Sequence, residues 1–323
     1  MIVTRTPFRI SFVGGGTDFP EVYSNIPYGC CVGMAINKYM WIILNRRFDT
    51  DIRVSYSKTE ISKEVNELHH DIARECLKYT DVKNGIEVVS VADVPAGTGL
   101  GSSSAYTVGL LNALYTLAGY APSPAVLAAE AMAIELNVLN KNMGVQDAYM
   151  SAYGGLIALR MSKKSIEVMR MEPNIAFLNM INNWVTVLDT GDRHLAEVIL
   201  KEQIFEWVDH IDEYKHLTAL AEHVISLLKA GVPPINFGPH IAEGWNIKKR
   251  LSPAITNCYI DSLFEKMVFR GGVIGAKLCG AGAAGFLFII HWPDKKKDLL
   301  DSVGLKELPI KFEPMGSMAT ILS

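Results

Sequence analysis

Residues 95–105 read P-A-G-T-G-L-G-S-S-S-A, and no other stretch constrains the chain as tightly. Glycines at Gly97, Gly99 and Gly101 alternate with other residues, and Ser102, Ser103 and Ser104 follow. The preceding run 85–92, G-I-E-V-V-S-V-A, has the alternation of a strand, and an apolar helical run begins at Ala105. Strand, glycine loop and helix start in that order make a place for an anion. Glycine lets the backbone turn tightly and approach a ligand, and the first N–H groups of a helix lack internal partners at the positive end of its dipole. The hydroxyls can add hydrogen bonds or ligate magnesium. A plain Gly/Ser loop with serine caps fits the same letters. Two better-known loops are excluded: no lysine follows Gly101, as a Walker loop requires, and the sixth residue from Gly97 or Gly99 is a serine, which breaks the dinucleotide fingerprint.

No charged residue falls between Asp93 and Glu130. The helical part, 105–121, is short for a bilayer and is bounded by the Gly/Ser loop and by Pro122 and Pro124, so it is expected to be a buried helix and no membrane partner is implied. At 323 residues the chain exceeds one core's usual reach, and two domains are expected. A net charge of −3 with only short basic clusters excludes a nucleic-acid surface. Five cysteines without a C-x-x-C, and an N-terminus without an apolar signal core, fit a reducing cytoplasm. The eight histidines form no zinc pattern. No segment specifies an oligomeric state.

In chain order, strands are expected over 2–13 and within 29–56, separated by the turn-rich Gly14-Gly15-Gly16-Thr17-Asp18. A helix is expected over 62–80, and another from the capping Ser123-Pro124 to about Leu139. Strands at 165–171 and 184–189 bracket a boundary near 175–183. Helical periodicity follows at 193–207, 208–230, 240–250 and 255–270, with strands at 273–279, 286–290, 310–312 and 318–322 and a helix at 295–303. Two carboxylates stand out. Glu135 lies on an apolar helix face, where an acid must be paired or hold a metal. Asp147 sits between turn signals and a short apolar helix, where a structural cap would also explain it. Gly280 to Gly285 spells G-x-G-x-x-G, but a strand follows and not a helix, so a turn between strands near the first loop is expected.

Three pieces in this order resemble the GHMP kinase superfamily. Pro7-Phe8-Arg9 through Thr17-Asp18 looks like its first motif, 95–105 like its ATP-phosphate loop, and Lys277-Leu278-Cys279-Gly280-Ala281-Gly282 like its third. Within it the strings R-I-S-F-V-G-G-G-T-D from Arg9 and T-G-D-R-H-L-A-E-V-I-L from Thr190 look like the D-glycero-D-manno-heptose 7-phosphate kinases, as do W-N-I-K-K-R-L-S from Trp245 and I-D-S-L-F-E-K from Ile260. Gly15-Gly16 stand where galactokinases carry Glu-His, and Ala283-Ala284 where relatives usually carry two glycines.

The resemblance implies an α+β fold. Residues 1–178 would form a mixed α/β ATP-binding domain and 179–323 an α/β C-terminal domain. It implies an ATP- and Mg2+-dependent sugar 1-kinase, with a heptose 7-phosphate as acceptor or another sugar in a fucokinase- or galactokinase-like relative. A non-catalytic sugar or nucleotide sensor on the same fold is the alternative of another class. By position, Ser103 and Glu135 would ligate magnesium, Asp147 would be the catalytic aspartate and Arg9 its partner. Gly97, Gly99, Leu100, Gly101, Ser102, Ser103 and Ser104 would hold ATP. Gly15, Gly16, Thr17, Asp18, Gly280 and Gly282 would face the sugar. A 7-phosphate would need basic partners, with Arg193, Lys248 and Arg250 as candidates.

Overall fold

The computed structural model describes residues 1–191, 196–269 and 272–322. The first half runs β1 (Ile2–Val13), α1 (Pro20–Tyr23), β2 (Gly29–Arg46), β3 (Ile52–Ser55), β4 (Thr59–Ser62), α2 (Asp71–Tyr79), β5 (Ile86–Ala92), α3 (Ser102–Leu117), α4 (Pro124–Met132), α5 (Gln146–Tyr153), β6 (Leu156–Met161) and β7 (Ile166–Met171). The second runs α6 (Ile175–Trp184), β8 (Val185–Asp189), α7 (Ala196–Phe205), α8 (Ile211–Lys229), α9 (Pro234–Lys248), α10 (Cys258–Phe269), β9 (Val273–Leu278), β10 (Phe286–His291), α11 (Lys296–Val303), β11 (Lys306–Glu307) and β12 (Met318–Ile321).

Two sheets organise these elements. The larger has the order β12-β1-β2-β5-β3-β4, with β6 and β7 also joined through β2; the smaller has the order β11-β8-β10-β9. The long β2 serves two neighbours in turn, β6 along Gly29 to Met34 and β5 along Met40 to Arg46. β1 pairs with β2 along its length, with a register shift at Pro7/Phe8, where proline has no N–H to give the ladder. Residues Thr6 to Val13 are buried without alternation, because α3 and α5 pack against β1 as do α8 and α9. The result is an α+β fold with one continuous core, in which Phe12 of the large sheet stacks on Phe288 of the small one at 5.3 Å. The C-terminal β12 returns to pair with β1, so the chain's last strand belongs to the sheet that its first strand begins.

α3 is apolar on every side and is buried between β1, β2 and the neighbouring helices, as an all-round apolar helix must be. Among the described residues no helix is long and apolar enough to cross a membrane.

Four expected elements differ. The helix predicted over 62–80 starts only at Asp71, because the Glu60 carboxylate accepts from the His69 and His70 N–H groups (2.5 and 3.1 Å) and holds the chain extended. The helix predicted to Leu139 widens after Met132 into a π turn over Ala133–Val138, where Leu139 N–H reaches back five residues to Ile134 O. That extra residue turns Val138 out to half exposure while Glu135 stays buried. Helix α9 begins at Pro234, earlier than predicted, because proline is suited to a first turn. No strand forms at 310–312; flanked by Pro309 and Pro314, it makes a single bridge, Phe312 to Ile36.

Candidate active site

The glycine loop is shaped by what it packs against. Gly97, Gly99 and Gly101 take φ of +73°, +77° and +80°, a region side chains strain to enter. A Cβ on Gly99 would lie 2.4 Å from the Cys279 carbonyl oxygen, and one on Gly280 would lie 2.4 Å from Gly99 Cα. The glycine loop and the third motif, which forms the turn between β9 and β10, therefore meet backbone to backbone. The Gly101 residue ends in the left-handed region and α3 begins at Ser102, so its free N–H groups face a cavity of about 340 Å3.

β1 crosses beneath this loop. Arg9 N–H donates to Leu100 O (3.1 Å), and its Nη1 donates to Gly99 O (2.6 Å). The same guanidinium grips Asp147 with two parallel bonds, Nε and Nη2 to the two carboxylate oxygens at 2.8 Å each. Asp147 is in the first turn of α5, and its carboxylate keeps about a fifth of its surface open to the cavity. The helix is capped in trans by Asp18: its Oδ2 accepts from Gln146 N–H (3.2 Å), its Oδ1 from Gly16 N–H (2.8 Å), and its backbone oxygen from Val145 N–H (3.1 Å). Burial pushes the Asp18 carboxyl above the usual range and the nearby Asp147 adds to it, while the two N–H bonds oppose. A Cβ on Gly144 would fall 1.8 Å from Asp18 Oδ2, so glycine there makes room for the acid.

At the start of α3, Ser103 Oγ donates to Glu135 Oε2 at 2.5 Å. The π turn buries Glu135 fully, and its Oε1 has no partner. Burial raises its pKa against the pull of Lys141 and Ser103. Lys141 Nζ lies 3.6 Å from Glu135 Oε2 and 3.2 Å from Ser103 Oγ, so a positive charge already settles at this corner. Among the described residues no group of three or more His, Cys, Asp or Glu could hold a metal. A serine and one carboxylate with a spare oxygen are what magnesium takes when phosphates and water complete its shell, and the donor set fits that ion.

The cavity thus gathers Arg9, Asp147, Asp18, Gly15, Gly16, Gly97, Gly99, Gly101, Ser102, Ser103, Ser104 and Gly280. Glu135 stands behind Ser103. Three expected residues do not line it. Thr17 is spent inside, its hydroxyl bonded to Gly14 O and to both backbone groups of Cys30. Leu100 is buried and offers its carbonyl to Arg9. Gly282 packs on Ile255 backbone. Of the basic candidates, Lys248 lines the cavity, Arg250 is on the surface against Asn246 O and Glu213, and Arg193 lies outside the described residues. Among the lining residues without an assigned role are Lys141, Gln203 and Lys277. Lys277 is visible only as a letter of the third motif, and Lys141 and Gln203 carry no local signal.

Comparison with known proteins places this geometry. The model of the GHMP kinases N terminal domain matches residues 65–155. The D-glycero-alpha-D-manno-heptose 7-phosphate kinase of Campylobacter jejuni is 26% identical over 94% of this chain and 93% of its own. A mevalonate kinase of Methanothermobacter thermautotrophicus is 33% identical over 72% of this chain and 73% of its own. The solved structure of a D-glycero-D-manno-heptose 1-phosphate kinase from Bacteroides thetaiotaomicron superposes over the whole of both chains with a TM-score of 0.81 at 18% identity. With the glycine loop and the arginine-held aspartate on one cavity, Glu135 buried behind Ser103, and a mevalonate kinase 33% identical over 72% of this chain, the chain belongs to the GHMP kinases, which are ATP-dependent phosphotransferases.

Proposed function

We propose that the protein is a sugar 1-kinase that transfers the γ-phosphoryl group of ATP to the anomeric hydroxyl of D-glycero-D-manno-heptose 7-phosphate. The observation that carries the reading is the Arg9–Asp147 pair, held at the floor of the cavity between the glycine loop and Asp18. The heptose is supported by similarity along nearly the whole of the Campylobacter kinase.

Phosphoryl transfer asks for position and charge stabilisation more than covalent help. The N–H groups of residues 101–104 would receive the phosphate oxygens. Ser103 and Glu135 would hold magnesium, which when bound offsets charge on phosphate oxygens. Asp147 would accept the hydroxyl proton or orient the hydroxyl, with both of its oxygens fixed by Arg9. Asp18 would meet a second hydroxyl with the lone pairs that Gly16 and Gln146 leave free. A fucokinase reading is the second, favoured by a 26% identical bifunctional fucokinase of Arabidopsis thaliana that aligns over 91% of this chain.

ADP release is measured from Mg-ATP with the heptose 7-phosphate, mannose, galactose, L-fucose and mevalonate. Turnover on the heptose phosphate alone, with phosphate found on C1, supports the reading; turnover on L-fucose replaces it with the second, and turnover on another free sugar keeps the kinase and discards the heptose. If Asp147 takes the proton, Asp147→Asn loses on the order of 10²–10⁴ in kcat, and an undiminished rate removes Asp147 from that role.

A further inference from the structure

Two ammonium groups of the cavity have no part in the chemistry above. Lys277 of β9 and Lys248 at the end of α9 are 5% and 8% exposed and both line the cavity. Each donates to a backbone carbonyl: Lys277 to Ser11 O (2.8 Å) and Lys248 to Gly280 O (2.5 Å). Neither forms an ion pair among the described residues. Burial pushes Lys248 down to about 7, with the Lys277 charge as the second cause, and pushes Lys277 down to about 8. Two neighbouring buried ammonium groups without a carboxylate are costly, and the cost is relieved either by loss of a proton or by an anion that joins them. The nearby acids are already engaged, Asp147 by Arg9 and Asp18 by two N–H groups.

Beside them is a second set of unmet groups. Both amide atoms of Gln203, Gln146 Oε1 and Ser11 Oγ are buried without partners, and all three residues line the cavity. Such atoms in a native cavity call for a ligand that can both donate and accept, as hydroxyls do. β1 gives the direction. Arg9 meets the glycine loop, and Ser11, which holds Lys277, is two residues farther toward Gly15 and Asp18, about 6.6 Å along the strand. Lys277 is thus displaced from the α3 N-terminus toward the Asp18 side, while Lys248, on Gly280 O, stands where the third motif packs on the glycine loop.

We infer that Lys277 and Lys248, with Gln203, Gln146 and Ser11, form a subsite for a phosphate monoester carried by a polyhydroxylated acceptor. The phosphate would be remote from the hydroxyl that reacts at Asp147. This rests on the proposed kinase reading for the direction of the acceptor, and adds the residues that select a phosphorylated one.

The test compares D-glycero-D-manno-heptose with its 7-phosphate on the full chain, by kcat/KM, with the KM for ATP measured alongside. The wild-type protein prefers the 7-phosphate, and in Lys277→Met that preference falls on the order of 10- to 100-fold, the worth of a charged hydrogen bond. Lys277→Arg recovers part of it, and the KM for ATP stays within about twofold, since a phosphate held by the acceptor is not the one transferred. A wild-type preference near one overturns the subsite without any variant, so a Lys277→Met chain that fails to fold leaves the question decided. Equal losses on both acceptors, or a KM for ATP that rises in place of the acceptor's, also overturn it. If no sugar is phosphorylated at all, the kinase reading fails separately. Calorimetric titration of the 7-phosphate into wild type and Lys277→Met without ATP then decides the subsite: weakened binding in the variant upholds it, and equal or absent binding ends it.

Discussion

Gly99→Ala isolates what the contact between the two glycine loops contributes. The added Cβ would meet the Cys279 carbonyl oxygen at 2.4 Å and its carbon at 2.8 Å, and both are backbone, so no side chain can swing away. Ordinary contact requires the loops to part by about 1 Å. Alanine at φ +77° costs about 1–2 kcal/mol by itself, and the overpacking about 1–3 kcal/mol more. The displacement has a kinetic consequence because Arg9 Nη1 bonds Gly99 O at 2.6 Å while the same guanidinium holds Asp147. A shift of about 1 Å at the reacting group is worth on the order of 10² in rate. Gly119→Ala is the matched control. Its φ is +83° and nothing lies within 4 Å of its added Cβ, so it carries the conformational cost without the contact. Urea unfolding and kcat/KM on Mg-ATP are read for both. The expected pattern is a loss of stability of about 1–2 kcal/mol in Gly119→Ala with full activity, and a larger loss plus a rate defect in Gly99→Ala. Equal behaviour of the two would refute the view that the loops are locked together at this contact.

Replacing Glu135 with Gln removes the one buried carboxylate beside Ser103, and the Mg2+ concentration for half-maximal activity should rise on the order of 10-fold or more; a Mg2+ titration of initial rates checks it, and an unmoved midpoint takes Glu135 out of the metal site. Lys248 titrates in the folded protein near 7 and in the unfolded chain near the ordinary lysine value of 10.5, so the unfolded state binds more protons between those limits. Its destabilising share is therefore full below pH 7 and is relieved as pH rises from 7 toward 10.5. The unfolding free energy of wild type relative to Lys248→Met should climb across that window, and a flat difference from pH 6 to 10 would show that the ammonium is not buried as described.

Much of the fold was legible because its determinants are local. The Gly-rich loop, the uncharged helix behind it and the strands of β1 and β2 carry their own periodicity and their own turn residues. The failures are places where a distant or non-repeating contact decided. Glu60 stops a helix that the apolar spacing of residues 62–80 would have allowed, through bonds to His69 and His70 that no periodicity encodes. A single inserted residue in the π turn defeats any count at 3.6 per turn, and so Val138 turns out to half exposure while Glu135 stays buried.

The candidate site divides along the same line, and the division explains why its two halves differ in legibility. The phosphate side is built from consecutive residues: glycines at 97, 99 and 101, then a helix start, so chain order itself presents the N–H groups. Arg9 and Asp147 are 138 positions apart; Arg9 lies in the first motif, and Asp147 stands out only by its turn signals and its position in the family resemblance. The Asp18 side is assembled from α5, α7, α9, β1 and β9, and each element brings one polar residue that by itself resembles any other. Gln203 on α7 reads as a solvent-facing glutamine, and Lys277 as one lysine among many. What sets them apart is burial, of Gln203 with its amide unpartnered and of Lys277 with a backbone carbonyl in place of a carboxylate, a property of the folded cavity and not of any window of sequence. A phosphoryl donor common to many kinases can be held by a contiguous loop. An acceptor on the Asp18 side would be met by single side chains from separate elements, each of which can change without disturbing the loop.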